Sequence, residues 1–174
     1  DIDAAYAPDG ATIAFVSDRQ AAGGAGRHVW LMDANGDNPR QFGTLWGAGS
    51  PVFSPDGSKL AFEVDANTDG FSDIGWAPLP AGATTILTYG SAHYLYDQRL
   101  GSWSPDGQWL VKSSWTYFSC GGLCLNQNLT FYFGLATPES AAIRLTSSAL
   151  DTDVDWQTAD ILPPVSAISG TIGP

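Results

Sequence analysis

The chain has few basic residues, few charges of either sign and no long apolar run. Only 14% of its 174 residues are charged, and seven Lys and Arg against eighteen Asp and Glu give a formal net charge of −11 at pH 7. Nucleic acids and anionic membrane surfaces attract basic proteins, so this balance argues against both as partners. No segment approaches the roughly 18 consecutive apolar residues of a membrane span, and no signal peptide is visible. We therefore predict a soluble chain, mature or trimmed, that is not inserted in a membrane.

The motifs of common enzyme classes are also missing. The sequence contains no Gly-x-Ser-x-Gly elbow, no phosphate-binding loop and no His-Glu-x-x-His, and it has only two His residues. His28 begins a predicted strand, and His93 lies in an aromatic loop between repeats. We predict that the chain is not an enzyme, with no catalytic residues and no organic cofactor.

What the sequence does contain is a repeated turn. An aromatic residue followed by Ser or Ala and then Pro-Asp-Gly precedes an apolar, alternating run at Tyr6–Gly10, Phe53–Gly57 and Trp103–Gly107. Pro presets the backbone for the second turn position, and Gly supplies the positive φ that realigns the returning strand. The aromatic residues are 47 and then 50 positions apart. A degenerate fourth copy of the strand that contains the aromatic residue lies at Asp153–Gln157. A period near 50 residues built from short strands predicts an all-β protein made of β-propeller blades.

Each repeat is predicted to form a four-stranded antiparallel blade. The strand after each turn is predicted at Thr12–Val16, Lys59–Val64 and Gln108–Lys112. The third strands are predicted at His28–Met32, Asp73–Trp76 and Leu129–Leu135, and the fourth at Pro39–Phe42, Ala83–Thr88 and Ala142–Thr146. The predicted propeller segment is 1–160, with repeats at about 1–47, 48–97 and 98–150 and an extra strand at 151–158. Residues 161–174 are predicted to be a Pro-bounded apolar tail or linker.

The repeats resemble those of TolB-like propellers. The resemblance is carried by the aromatic-Ser-Pro-Asp-Gly turn, by Ile13–Arg19 with its Ser-Asp-Arg end, and by Val29–Asp33. It covers nearly the whole chain, although the third repeat lacks the acidic end of its second strand. The resemblance implies a propeller fold but leaves function open, because such blades occur in periplasmic adaptors, in gating domains of prolyl-oligopeptidase-like enzymes and in large surface proteins.

Three repeats and one extra strand do not close a ring, since propellers use roughly four to eight blades. One interpretation is that a longer protein supplies the remaining blades. The other is that copies of the chain pair, either through the strand around Trp156 or head to tail, which can give a filament. The tail 161–174 fits a strand added to a neighbouring sheet, a linker, or a strip on its own blade.

Residues 65–73 form the best metal-binding motif. Asp65, Asn67, Asp69 and Asp73 occupy positions 1, 3, 5 and 9 around Gly70, and the Phe71 carbonyl would supply position 7. This order of oxygen ligands is typical of a structural Ca²⁺ loop and resembles the calcium loops of FG-GAP propeller repeats; the alternative is a solvated acidic turn. It is not an EF-hand, because Trp76 stands where Glu is needed.

The two cysteines lie close together, at Cys120 and Cys124, separated by Gly-Gly-Leu. We predict a small local disulfide, formed in an oxidising compartment; free thiols are the alternative. Asn128 begins a glycosylation sequon, Asn-Leu-Thr, which matters only if the source glycosylates and the side chain faces outward.

Two functions follow from these features. The first is a non-catalytic extracellular structural or interaction module of a secreted, surface or filament-forming protein, stabilised by calcium. The second is a ligand- or protein-binding TolB-like periplasmic propeller, or the substrate-gating propeller segment of a larger hydrolase. In either case the predicted partners are proteins, namely other copies of the chain or the remaining blades of a parent protein.

Overall fold

A computed structural model describes residues 1–19, 26–88, 96–117, 126–134 and 143–144, and all regular structure within them is β-strand. Twelve strands form three separate four-stranded antiparallel sheets. The first sheet contains β1 (Ile2–Tyr6), β2 (Thr12–Ser17), β3 (His28–Asp33) and β4 (Arg40–Gln41). The second contains β5 (Gly49–Phe53), β6 (Lys59–Val64), β7 (Asp73–Pro78) and β8 (Thr85–Ile86). The third contains β9 (Tyr96–Trp103), β10 (Trp109–Tyr117), β11 (Asn126–Gly134) and β12 (Ile143–Arg144).

Each sheet keeps its strands in sequence order from one edge to the other. We call the three sheets blades 1, 2 and 3. The predicted all-β class and four-stranded blades are confirmed. The predicted extra strand at 151–158 and the tail at 161–174 lie outside the described residues. No helix in the described part of the chain has the length and apolarity needed to cross a bilayer.

The Pro-Asp-Gly segments form tight turns between the first and second strands of each blade. Gly10, Gly57 and Gly107 have φ near +70° and each donates its N–H to the carbonyl three residues earlier. In blade 2, Ser54 Oγ donates to Asp56 Oδ1 at 2.6 Å and accepts from the N–H of Lys59 at 2.9 Å. Ser104 makes the same bonds in blade 3, whereas blade 1 has Ala7 at this position. The turn is therefore locked by its Ser in two of the three blades.

Successive blades pack face to face, with β5 lying beside both β1 and β9. Side chains of β2 alternate between the two faces of blade 1, and Ala14 points toward blade 2. In blade 2, Leu60, Phe62 and Val64 face blade 1, while Ala61 faces blade 3. This period of two is what a strand buried on both faces requires.

The contact between blades 1 and 2, which we call the first seam, is apolar. Its buried core includes Val29 and Leu31 from blade 1 and Leu60 and Phe62 from blade 2. Phe42 packs edge-to-face on Phe62 with ring centroids 6.3 Å apart. Burial of apolar surface is the main force that holds these blades together.

The contact between blades 2 and 3, the second seam, combines a smaller apolar core with buried polar groups. Ile74 of blade 2 packs with Trp103 and Leu110 of blade 3. The indole Nε1 of Trp103 donates to the carbonyl of Val52 at 3.0 Å, across the seam. The aromatic residue before the third turn thus serves both packing and hydrogen bonding.

The turns of successive blades also contact each other. A Cβ placed on Gly57 would lie 3.7 Å from Pro8 Cδ, and one placed on Gly107 would lie 3.7 Å from Pro55 Cδ. The Pro of each turn therefore sits against the Gly of the next turn. This repeated contact sets the three turns in a row along one end of the blades.

Candidate functional site: the acidic loop and the cleft of the first seam

The predicted calcium motif forms the connection between β6 and β7. Val64, the last residue of β6, pairs with Asp73, the first residue of β7, so residues 65–72 close a hairpin. Asp65 and Asp73 are both buried, with 5% and 1% of their surfaces exposed. The loop reverses at Thr68 and Gly70, whose φ angles are +64° and +87°.

The loop folds around the carboxylate of Asp65. Its Oδ1 accepts the N–H of Asp69 at 3.1 Å, and its Oδ2 accepts the N–H of Gly70 at 3.0 Å. Asp69 Oδ1 accepts the N–H of Phe71 at 2.9 Å, and Asp69 Oδ2 accepts from Asn67 Nδ2 at 2.9 Å. Asn67 Oδ1 also accepts the N–H of Asp69, at 3.2 Å, so the side chains at positions 1 and 3 meet at the backbone of position 5.

Gly47, in the segment between blades 1 and 2, supports this loop from outside. A Cβ on Gly47 would lie 2.7 Å from Asp65 Cβ, and its φ is +74°. The neighbouring carbonyl of Trp46 accepts the N–H of Asp65 at 3.1 Å. Only glycine allows so close an approach with this backbone geometry. Sequence reasoning did not identify Gly47, because nothing local marks which glycine will meet a distant loop.

The loop offers the hard oxygen ligands that Ca²⁺ prefers, and Asp65, Asn67 and Asp69 fit that chemistry. Each carboxylate oxygen has two lone pairs, so those of Asp65 and Asp69 can accept more than the single bonds described above. Within the described ranges, however, no group of three or more His, Cys, Asp or Glu side chains converges as a metal site. Calcium binding with Phe71 and Asp73 as further ligands stays a prediction.

Of the two cysteines and two histidines considered in the sequence, the structure describes His28 alone. Cys120 and Cys124 lie outside the described residues, as does His93. His28 is fully buried, and its Nδ1 lies 3.0 Å from the carbonyl oxygen of Leu45. This places His28 in the packing of blade 1.

A cleft of about 290 Å³ opens at the turn end of the first seam. Its apolar lining includes Leu31 and Phe53, which belong to the two blades, and its rim includes Pro80. The cleft was not evident from the sequence, since its walls come from five segments that only the packing of blades brings together.

Three charged side chains line the same cleft: Asp9, Asp56 and Arg40. The hydroxyl of Ser54, followed by the backbone N–H of Ser58, holds the pKa of Asp56 well below its usual value. Arg40 is half-exposed, and its Nη1 lies 4.0 Å from Asp33 Oδ1. Two carboxylates and one guanidinium give the cleft a net negative charge.

Buried charges mark the second seam. Lys112, one of two lysines in the chain, is 2% exposed, and its Nζ donates to Gln98 Oε1 at 2.6 Å. Glu63, 4% exposed, accepts the N–H of Leu100 at 2.9 Å and lies 3.8 Å from Arg99. Sequence reasoning did not identify Lys112 as a buried residue, because its burial depends on the packing of blade 3 against blade 2.

The described blades are similar to known propellers. TolB from Acinetobacter baumannii aligns with 84% of this chain at 23% identity and a TM-score of 0.61, over 32% of its own length. A putative TolB from Agrobacterium tumefaciens aligns with 84% of this chain at 24% identity and a TM-score of 0.61, over 46% of its length. A structure from a study of two prolyl endopeptidases aligns with 84% of this chain at 15% identity and a TM-score of 0.56, over 22% of its length.

No protein-family model matches the sequence, and no curated protein matches it. At these identities the structural similarity establishes the fold alone: the sheets are β-propeller blades, similar to those of the two TolB proteins. The chain spans between about a third and a half of the length of the two TolB proteins.

Proposed function

We propose that this chain is a propeller segment of a non-catalytic, protein-binding adaptor of the TolB type that works outside the cytosol. The observation that carries the proposal is the fit to two TolB structures at a TM-score of 0.61 over 84% of the chain. The sequence supports it independently through its repeated turn, its net charge of −11 and the lack of common catalytic motifs. The partners are proteins: the remaining blades of a parent protein, and a target that the completed surface binds.

Peptide display on the immobilised 174-residue chain tests protein binding. Selected peptides are expected to enrich over a scrambled library and to bind the chain as free peptides in calorimetry. The control is a sample of the same chain that has been denatured in acid and kept from refolding, because the proposed binding surface requires the packed blades. A selection that yields no peptide binding the native chain better than this control would contradict the proposal.

The prolyl endopeptidase similarity, at a TM-score of 0.56, favours a second candidate, the gating segment of a larger hydrolase. This candidate predicts that the chain associates with a separately produced hydrolase domain and alters its turnover of large substrates. The adaptor function predicts no such effect. Mixing the chain with a prolyl-oligopeptidase-type catalytic domain, and assaying one short and one long peptide, separates the two.

Assembly with other copies remains the structural alternative, in which the chain forms filaments or closed rings. Open sheet faces and edges favour pairing, and a contact between unlike faces that fails to close gives a filament. Native mass spectrometry tests this directly. A species that stays at the 18.3 kDa mass of one chain at micromolar concentration would exclude self-assembly.

A structural Ca²⁺ ion in the loop 65–73 is part of the proposal. The supporting observation is that Asp65 and Asn67 both accept the backbone N–H of Asp69, whose own carboxylate accepts from Asn67 Nδ2. A bound ion would offset the repulsion between carboxylates and stiffen the hairpin, so a chelator is expected to lower the melting temperature by several degrees. Asp69→Asn should abolish that difference, whereas Asp37→Asn, in an exposed turn of blade 1, should preserve it. A melt that is identical with calcium and with chelator would remove the site.

A further inference from the structure

The cleft of the first seam combines an apolar floor with two carboxylates and one guanidinium. Its volume of about 290 Å³ lies just below the roughly 300–1,000 Å³ range of ligand pockets, which is enough for single side chains of an extended segment. Leu31 is 1% exposed and Phe53 is 8% exposed, so the floor belongs to the rigid core between two blades. An apolar side chain that enters the cleft would extend the core of the seam.

The charges around this floor determine which peptide fits. Asp56 lies in a turn whose Ser54 and Ser58 hold the carboxylate in place at 2.6–3.0 Å. Asp9 occupies the same position in the turn of blade 1, where its Oδ1 accepts the N–H of Ala11 at 2.9 Å. Because Pro8 packs beside Gly57, the two turns and their carboxylates lie at the same mouth.

We infer that this cleft binds an extended segment of a partner protein in which an apolar residue is followed by Lys or Arg. The apolar side chain occupies the space above Leu31 and Phe53, and the cation pairs with Asp9 and Asp56. The net charge of −11 on the whole chain attracts a basic segment from a distance and disfavours an acidic one. Arg40, beside Asp33, lies on the rim and limits how much positive charge the cleft accepts.

This inference rests on the proposed protein-binding function and assigns it a place and a ligand chemistry. The probe is Ac-Gly-Leu-Lys-Gly-amide, titrated against the chain and followed by backbone amide chemical shifts. The expected response is confined to the cleft, including Gly57 and Leu79. Ac-Gly-Leu-Glu-Gly-amide and Ac-Gly-Gly-Lys-Gly-amide, which reverse the charge and remove the apolar side chain, should each bind more weakly.

The repeat supplies a matched control variant. Asp56→Asn should weaken binding of the Lys peptide by about two- to fivefold, and the double variant Asp9→Asn with Asp56→Asn by about tenfold. Asp106→Asn makes the same change in the same kind of turn but lies away from the cleft, so it should leave affinity unchanged. Arg40→Gln should strengthen binding by about two- to fivefold.

The outcomes separate the site from the function. Equal affinity for the Lys and Glu peptides would contradict peptide binding in the cleft. Equal losses of affinity in Asp56→Asn and Asp106→Asn would contradict it as well. A display-selected peptide that binds the double variant as tightly as the native chain would contradict binding in the cleft, but it would still support the proposed protein-binding function. Failure of the four-residue probes together with every selected peptide would overturn both.

Discussion

The two seams join identical kinds of blade by different means. The first seam is held by a continuous apolar core that includes Leu31 and Phe62. The second seam has a smaller apolar cluster and buries Glu63, Gln98 and Lys112. Aligned from the Gly of each turn, Lys112 stands in blade 3 where Phe62 stands in blade 2.

This difference shows that the repeat fixes the position of a residue without fixing its chemistry. A seam accepts a buried ammonium where its neighbour uses a phenyl ring, provided that a partner such as Gln98 is supplied. Buried polar pairs offset much of their attraction by the cost of leaving water, so apolar packing contributes more stability per residue. A hydrogen bond crosses the first seam as well, from the N–H of Ser50 to Asp3 Oδ2, but it is exposed, whereas the polar contacts of Glu63, Gln98 and Lys112 are buried in the second seam.

The largest expected effect comes from breaking the apolar seam. Phe62→Ala removes a 3% exposed ring and its contact with Phe42, which should cost about 3–5 kcal/mol of unfolding free energy. Urea unfolding followed by Trp fluorescence measures this. Tyr6→Ala, at a ring that is 65% exposed, is the control and should change stability by less than about 0.5 kcal/mol. A loss below about 1 kcal/mol for Phe62→Ala would show that blade 2 does not depend on the first seam.

The second-largest effect is expected from breaking the contact between Gln98 and Lys112 in the second seam. Gln98→Leu removes the acceptor 2.6 Å from the Lys112 ammonium and should cost about 1.5–3 kcal/mol. Adding Lys112→Met should recover part of that loss, because the buried ammonium that has lost its Gln98 acceptor is then absent. Four proteins, measured by the same urea titration, complete the double-mutant cycle. Additive losses would show that the two side chains do not act as a pair.

A smaller loss of stability is expected from removing a single hydrogen bond across the second seam. Trp103→Phe keeps an aromatic ring in the second seam but removes the Nε1 donor to the Val52 carbonyl, at an expected cost of about 1–2 kcal/mol. Trp46→Phe alters a ring that is 38% exposed and is the matched control. Thermal melts of both variants give the comparison, and equal midpoints would mean that the cross-seam bond contributes nothing measurable.

The smallest effect concerns acid stability of the turns. The Ser54 hydroxyl lowers the pKa of Asp56, and the Ser104 hydroxyl lowers that of Asp106. A carboxyl with a depressed pKa in the folded state stabilises the fold above its unfolded pKa of about 3.9 and loses that contribution as pH falls toward the folded value. Asp56→Asn with Asp106→Asn should therefore flatten the dependence of stability on pH below about pH 4.

Urea midpoints measured between pH 2 and pH 6 test this pH dependence. Removing the two serines, Ser54→Ala with Ser104→Ala, takes away the first cause of both shifts and should flatten the same limb. If neither double variant differs in slope from the native chain, the turns have no part in acid denaturation.

The sequence predicts what depends on local chemistry and misses what depends on neighbouring blades. Pro8-Asp9-Gly10 specifies a turn because φ is preset at Pro and positive at Gly, so the repeat and its hairpins could be placed directly. The fourth strands of blades 1 and 2 were predicted too long: Pro39–Phe42 and Ala83–Thr88 were expected, whereas β4 contains only Arg40 and Gln41 and β8 only Thr85 and Ile86.

The candidate site shows the same division. The ligand types in 65–73 follow from the sequence, but the approach of Gly47 to Asp65 and the burial of Lys112 arise only when separate repeats pack. The cleft of the first seam has no sequence signature at all. Its floor and its carboxylates lie in different blades, and their proximity is a property of the seam.

The contact of each turn Pro with the next turn Gly has a consequence for how such a chain grows. The turn of blade 2 makes both halves of this contact, with Gly57 against Pro8 and Pro55 against Gly107, and the turns of blades 1 and 3 contain the same Pro and Gly. A tandem duplication of one repeat would therefore arrive with a matching partner on each side and need no compensating change elsewhere. Whole blades can therefore be added without disrupting this contact. Replacing Gly57 or Pro55, in contrast, would disturb the contact between two blades.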